Sequence, residues 1–294
     1  EGEKTWNPET HQVDQADGKW TSDTKAITVT NHSNVGIMAK FAFAPNGEIE
    51  GSFTKDSTPT DQLALDTAES TEVAAAPTGT VNFAITGGAI TESTKLGTIT
   101  VYIAPNDGSN YIFTETELTE VAENGGSFKL ASDLDINDRI VSSEENFEID
   151  LNRKSINGSC GFIGQFVTQK ISNGTIHTSN YGESALWSTG EGKAIVDNCT
   201  LTANDYYAVY VSVGSTATIT DSTLTGSSSF GAAIASGKNT VLTFIGSNVL
   251  NGNVVVEDGG KVIFSGNVTL NGNIDKRDEN STVVCEAGTY NFDV

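Results

Sequence analysis

The chain has 294 residues, with 38 Asp and Glu against 16 Lys and Arg, a formal charge of −22, and 37% apolar residues. So few cations leave little to displace counterions from phosphate, which excludes nucleic acid as a partner. The acidic residues are spread along the chain, as on a self-repelling folded surface, and form no disordered acidic tail. No window of ~18 uncharged apolar residues is present, so no membrane insertion is expected, and no basic, apolar leader opens the chain, so any signal peptide is expected to be already removed.

Residues 1–25, with Trp6 and Trp20, have little periodicity and read as a leader or an edge strand. From Ala26 the pattern alternates. Ile27 and Val29 share a face, then Val35, Ile37, Ala39, Phe41 and Phe43 after the turn Asn31-His-Ser-Asn34, then Ile49, Gly51 and Phe53 after Pro45-Asn-Gly47. Further runs cover Leu63–Leu65, Val81–Ile85 and Leu96–Ile103. Short alternating runs between Asn, Gly, Pro and Asp predict half-buried antiparallel strands. Their number, over about 85 residues, predicts an immunoglobulin-like β-sandwich. The polar turn Pro105-Asn-Asp-Gly-Ser109 marks the boundary, giving a sandwich domain over 1–106 and a second domain over 107–294.

One helix is predicted, over about 115–124. Thr114-Glu-Thr-Glu117 matches a capping box, Leu118, Val121 and Ala122 follow at helical spacing, and Asn124-Gly125-Gly126 stops it. Its position before the first repeat predicts a cap on the open end of a solenoid core.

Downstream a phrase returns, apolar-x-(Asn/Asp/Gly)-x-x-apolar. It reads Ile171-Ser-Asn-Gly-Thr-Ile176, Val196-Asp-Asn-Cys-Thr-Leu201, Ile219-Thr-Asp-Ser-Thr-Leu224, then Phe244 to Val249 and Ile263 to Val268, with looser echoes ending at Ile136 and Ile156. Steps of roughly 19–25 residues in strand-like sequence mark a solenoid. No three-to-four spacing runs through it, which excludes helical repeats; the fold class is all-β, ending in a right-handed parallel β-helix. Leu186, Val209, Ile234 and Val255 are expected as one interior column, Ile195, Thr218, Leu242 and Val262 as a second, and the phrase ends as a third. Seven rungs at strand spacing predict a rod about 30–35 Å long.

This phrase series and the helix before it resemble the right-handed β-helix surface proteins and adhesins of gut Gram-positive bacteria, a branch of the pectate-lyase-like superfold. The resemblance covers about residues 111–294, and Ile27 through Ala104 looks like the sandwich module such proteins carry on the N-terminal side. It implies a secreted or cell-surface protein. The chain shows no sorting signal of the LPxTG type, a departure from wall-anchored relatives.

Enzymes on this superfold work through carboxylate clusters, a basic residue or calcium, and no in-phase carboxylate pair is legible. Asp197 and Asp221 are offset by one position and are read as turn residues; His177 has no partner readable from spacing. Asp133-x-Asp135-x-Asn137 with Glu144 superficially matches a calcium loop, but Asp138 stands where glycine is required. Cys160, Cys199 and Cys285 form no metal spacing and are read as small buried side chains. No catalytic residue, metal or cofactor is therefore assigned. What the repeat does not explain is aromatic: Trp187 and Tyr210 share an outward phase on successive rungs, expected to end at Ala235 and Val256, while Tyr181, Tyr206 and Tyr207 lie in adjoining loops. These five are the candidate ligand-binding residues. The expected function is adhesin-like binding of an extracellular glycan or host protein by a monomer. A polysaccharide lyase or glycoside hydrolase stands second, and a structural spacer of a longer surface protein third.

Overall fold

The computed structural model describes residues 4–9, 11–15, 20–88 and 95–292; parts of the expected leader, residues 1–3, 10 and 16–19, lie outside the described residues. The chain divides into two compact units, Glu1–Ser109 and Asn110–Val294.

In the first unit, β1 (Lys4–Asn7) and β2 (Gln12–Gln15) form an antiparallel pair. After them come β3 (Trp20–Thr21), β4 (Lys25–Thr30), β5 (Ile37–Pro45), β6 (Ile49–Lys55), β7 (Thr58–Pro59), β8 (Gln62–Leu65), β9 (Thr78–Gly87) and β10 (Gly97–Pro105). They make two antiparallel sheets, one ordered β10-β5-β8 and one in which β9 lies between β6 and β3 or β4, with β7 beyond β6. Alternation explains their meeting. Ile37, Ala39 and Phe41 of β5 and Leu63 and Leu65 of β8 form one buried cluster with Val81 of β9, against Ile27, Val29 and Phe53. Asn31 is buried and fully used: its amide donates to Val35 and Asp66 carbonyls and accepts from Ser33. That satisfies the buried polar groups of the turn.

The second unit is a parallel β-solenoid of the right-handed type with about eight turns, one more than the expected seven. Its single α-helix, α1 (Glu115–Asn124), has the full capping box at Thr114 and Glu117, and Gly125 closes it at φ 72°. Leu118, Val121 and Ala122 are buried in the same apolar cluster as the first turns. Interior columns run along the solenoid, three of them as follows. The first is Phe128, Ile149, Ile171, Val196, Ile219, Phe244 and Phe264. The second is Leu134, Ile156, Ile176, Leu201, Leu224, Leu250 and Leu270. The third is Ile140, Phe162, Leu186, Val209, Ala233, Val254 and Ile274.

These registers correct several expectations. Ile234 and Val255 pair with Tyr210 and Asp275 on the outer face, because Val209 stacks on Ala233 and then Val254. A slip of one residue reverses every side chain of a strand. Ile195 and Thr218 are likewise outward, beside the buried column Ala194, Ala217, Leu242 and Val262. The phrase ends at Leu250 and Leu270, not at Val249 and Val268, because its last two copies hold one residue more and the last begins at Phe264, not at Ile263; its first echo ends at Leu134, with Ile136 opposite Gly158.

The third position of the phrase is the corner between the first two sheet faces. Asn173, Asn198 and Asp221 have φ of 59°, 52° and 47°, and Gly246 and Gly266 have 74° and 105°. Only Gly, Asn and Asp visit that left-handed region readily, which is why the phrase admits those three. Along the corner, Asn198 donates to Asn173 Oδ1 at 3.0 Å and Asn173 donates to Asp150 Oδ1 at 3.1 Å.

Candidate functional site: an aromatic strip on the outer face

The third sheet face is built from Ile140–Ser142, Phe162–Gln165, Leu186–Thr189, Val209–Ser212, Ala233–Ser236, Val254–Glu257 and Ile274–Lys276. Alternation within each strand sends two columns outward. One is Ile163, Trp187, Tyr210, Ile234, Val255 and Asp275. The other includes Thr189, Ser212, Ser236, Glu257 and, joined by an ion pair, Arg277.

Ile234 and Val255 face outward yet are buried, because Tyr207 covers them and Tyr206, Tyr210 and Phe230 pack around. The Trp187–Tyr210 ladder therefore ends on an aliphatic pair that needs a roof, not on Ala235 and Val256, which face the core. The loop residues supply that roof. Tyr207, at 4% exposure, is its underside.

Above it the rings form a continuous run. Tyr181 meets Phe230 at 5.9 Å between centroids, Phe230 meets Tyr206 at 4.8 Å, Tyr206 stacks on Tyr210 at 5.8 Å and 10°, and Tyr210 meets Trp187 edge-on at 5.1 Å. These offset and edge-to-face geometries follow from the ring quadrupole, and each pair adds about 0.5–1.5 kcal/mol beyond burial. Tyr181 is 78% exposed, while Phe230, Tyr206, Tyr210 and Trp187 are half-buried. The four outer candidates thus meet in one strip, joined by Phe230, which has no repeat phase to reveal it.

Polar groups line the strip. Trp187 Nε1 donates to Ser212 Oγ at 3.0 Å, and Ser212 donates to Thr189 at 3.2 Å. Beside Tyr210, Ser236 Oγ reaches Asp258 Oδ2 at 3.5 Å. Burial and neighbouring negative groups push the Tyr206 and Tyr210 hydroxyls up, and burial does the same for Tyr207. All three stay protonated donors at neutral pH.

At one end, Arg277 joins Glu257 Oε2 at 2.7 Å and Asp275 Oδ2 at 2.9 Å, close to Tyr207. These two carboxylates on neighbouring turns are the pair that the sequence did not disclose. The guanidinium is held more firmly charged than usual by those bonds.

The remaining candidates lie elsewhere. His177 Nε2 meets Asn204 Oδ1 at 3.1 Å, and Asp221 Oδ1 accepts from Ser247 N at 2.7 Å as a corner residue. Asp133 Oδ1 accepts from Ser155 N at 2.7 Å, while Asn137 and Asp138 donate to Glu115. Among the described residues no three His, Cys, Asp or Glu side chains gather as a metal set. All three cysteines are free: Cys199 is buried as expected, but Cys160 is half-buried and Cys285 exposed.

No protein-family model and no curated protein matches the chain. Among solved structures, the catalytic domain of GH87 alpha-1,3-glucanase in complex with nigerose is 11% identical over 93% of this chain and 92% of that chain, at a TM-score of 0.20. An alanine variant of the same domain in complex with tetrasaccharides gives 11%, the same coverage and a TM-score of 0.19. Scores of that size fix neither activity nor substrate, and the solenoid stands on its own strand registers.

Proposed function

We propose that this chain is a secreted or cell-surface, adhesin-like binding protein that holds a glycan along the strip from Tyr181 to Trp187. The observation that carries the reading is the run of rings at 4.8–5.9 Å, exposed along one side and edged by hydroxyls. A sugar ring presents an apolar face to stack and hydroxyls at its rim. An apolar strip with a few placed donors and acceptors fits that chemistry. The extracellular setting is supported by the β-solenoid and by the acidic, cation-poor composition.

In the same reading, α1 caps the first turn, supported by the burial of Leu118 and Val121 in the solenoid core. The first unit is an immunoglobulin-like sandwich, supported by two antiparallel sheets sharing one cluster. Lettering β4 to β10 as A to G, the pairs B–E and C–F of that fold are present, while the first and last strands pair with F and B.

A screen of the intact chain on a glycan array, beside Trp187→Ala and Tyr206→Ala, tests the site. Retention of a glycan by the intact chain and its loss in both variants is expected. Absence of any retained glycan contradicts the reading.

The second reading, a glycoside hydrolase, is favoured by Glu257 and Asp275 beside the rings. Glycoside hydrolysis needs one carboxyl free to donate a proton to the leaving group, whereas both of these are bonded to Arg277, at 2.7 Å and 2.9 Å. Reducing-end release from a polysaccharide panel, abolished by Glu257→Gln, would place this reading first.

A further inference from the structure

The first unit has sheet edges that differ sharply in how they are guarded. Edge strands invite pairing unless they are short, charged or interrupted by proline. β7 is two residues and ends in Pro59; β8 is four residues between Asp61 and Asp66; the β3–β4 edge is broken at Ser22–Thr24 and carries Asp23 and Lys25. β10 has only a terminal proline, Pro105, and is otherwise unguarded. It is nine residues long, Gly97-Thr-Ile-Thr-Val-Tyr-Ile-Ala-Pro105, without one charged side chain in a chain of net −22.

Its backbone phase is set by its neighbour. Phe41 N donates to Asp61 O at 2.7 Å, so the odd-numbered residues of β5 bond toward β8 and the even-numbered ones toward β10. In an antiparallel ladder the residues opposite the odd positions then turn their N–H and C=O away from β5. Opposite Phe43, Phe41 and Ala39 stand Ile99, Val101 and Ile103. Among the described residues these three therefore carry the free edge groups of the strand, and their side chains are exposed by 37%, 38% and 47%. They lie on the sheet face whose other residues, Ala39 and Phe41, are buried.

We propose that β10 is a self-association edge, pairing antiparallel with β10 of a second copy of this chain about a two-fold axis at Val101. The sequence around that point is close to a palindrome, Ile99-Thr-Val-Tyr-Ile103. An axis there sets Val101 against Val101 and Ile99 against Ile103 of the second copy. Each is an aliphatic β-branched pair of the kind that stabilises sheets, and each joins two residues whose N–H and C=O face outward. The contact is isologous, so it closes as a dimer and does not propagate. Pro105, lacking an N–H, ends the ladder at each side. A second copy fits this edge because an uncharged strand asks for no complementary charge, whereas the rest of the acidic surface repels its like. The monomer expected from the sequence gives way in this proposal to a dimer, and glycan binding by the second unit is independent of it.

Sedimentation velocity on the intact chain over about 1–100 μM, the range an interface of this modest size reaches, tests it. Val101→Pro removes an outward N–H without touching the bonds to β5, a substitution that edge strands tolerate. Val101→Lys places a charge on the axis and tests the same contact should the proline variant fail to fold, with circular dichroism melting as the check. The wild-type chain is expected to shift from monomer to dimer across that range, and a folded Val101 variant to stay monomeric throughout. A wild-type chain that remains monomeric to the top of the range, or a dimer that persists in the folded variants, overturns the proposal.

Discussion

Asn198 and Gly266 occupy the same corner of different turns, and their substitutions separate two costs. An ordinary L-residue in the left-handed region costs about 1–2 kcal/mol, and Asn198 also donates to Asn173. Asn198→Ala is therefore expected to lower stability by about 1–2 kcal/mol, with Asn198→Gly well below that. At Gly266 a Cβ would additionally stand 2.6 Å from the Gly246 carbonyl oxygen. Gly266→Ala is thus expected to exceed the Asn198→Ala loss, and equal denaturation midpoints for the two alanine variants would contradict this account. The cysteines give a second residue-scale test. Burial pushes the Cys199 thiol up to about 11, so below that pH it stays a thiol, shielded from reagent. Native alkylation at pH 8 is expected to mark Cys285 and spare Cys199 until the chain is unfolded, as read by peptide mass spectrometry.

At the scale of elements, α1 is tied to the first turn by Glu115, which accepts from Asn137 N at 2.6 Å and Asp138 N at 2.9 Å. Partial burial raises its pKa, but those backbone bonds and the Asn137 side chain outweigh it and leave the net value lowered. A lowered native pKa means the contribution is complete above the ordinary carboxylate range and lost as pH falls through it toward the native value. Glu115→Gln is expected to flatten the acid side of the stability curve, and an unchanged acid limb would count against the tie. Thr114→Ala removes the N-cap acceptor and is expected to cost about 1 kcal/mol by denaturant melting. Here the sequence was informative because capping box, helix spacing and glycine stop are all local. The solenoid was legible for a related reason, since its corner residues recur at fixed places in the phrase. Exact column membership was not, because one additional residue in the last two copies of the phrase, together with a start at Phe264 in the last, puts Leu250 and Leu270 where Val249 and Val268 were expected. The slip at Ala233 concealed more. It hid that Ile234 and Val255 face outward and need a cover, and hence why Tyr206, Tyr207 and Phe230 gather there. Glu257, Asp275 and Arg277 meet only across turns, so no spacing within the sequence announces them.

For the whole molecule, charge and the aromatic strip together limit what is held. With net charge −22 and its one strip-end guanidinium already shared by two carboxylates, the chain is expected to bind uncharged glycans and to leave polyuronates unbound. The central claim is that the rings from Tyr181 to Trp187 form a binding surface in addition to roofing Ile234 and Val255. Isothermal titration of the array-selected oligosaccharide into the intact chain and into Trp187→Ala tests it most directly. Saturable binding is expected to weaken about tenfold or more in the variant, a loss of at least ~1.4 kcal/mol, while circular dichroism shows the solenoid still folded. Equal affinity in the two proteins, or no heat of binding in the intact chain, would contradict it.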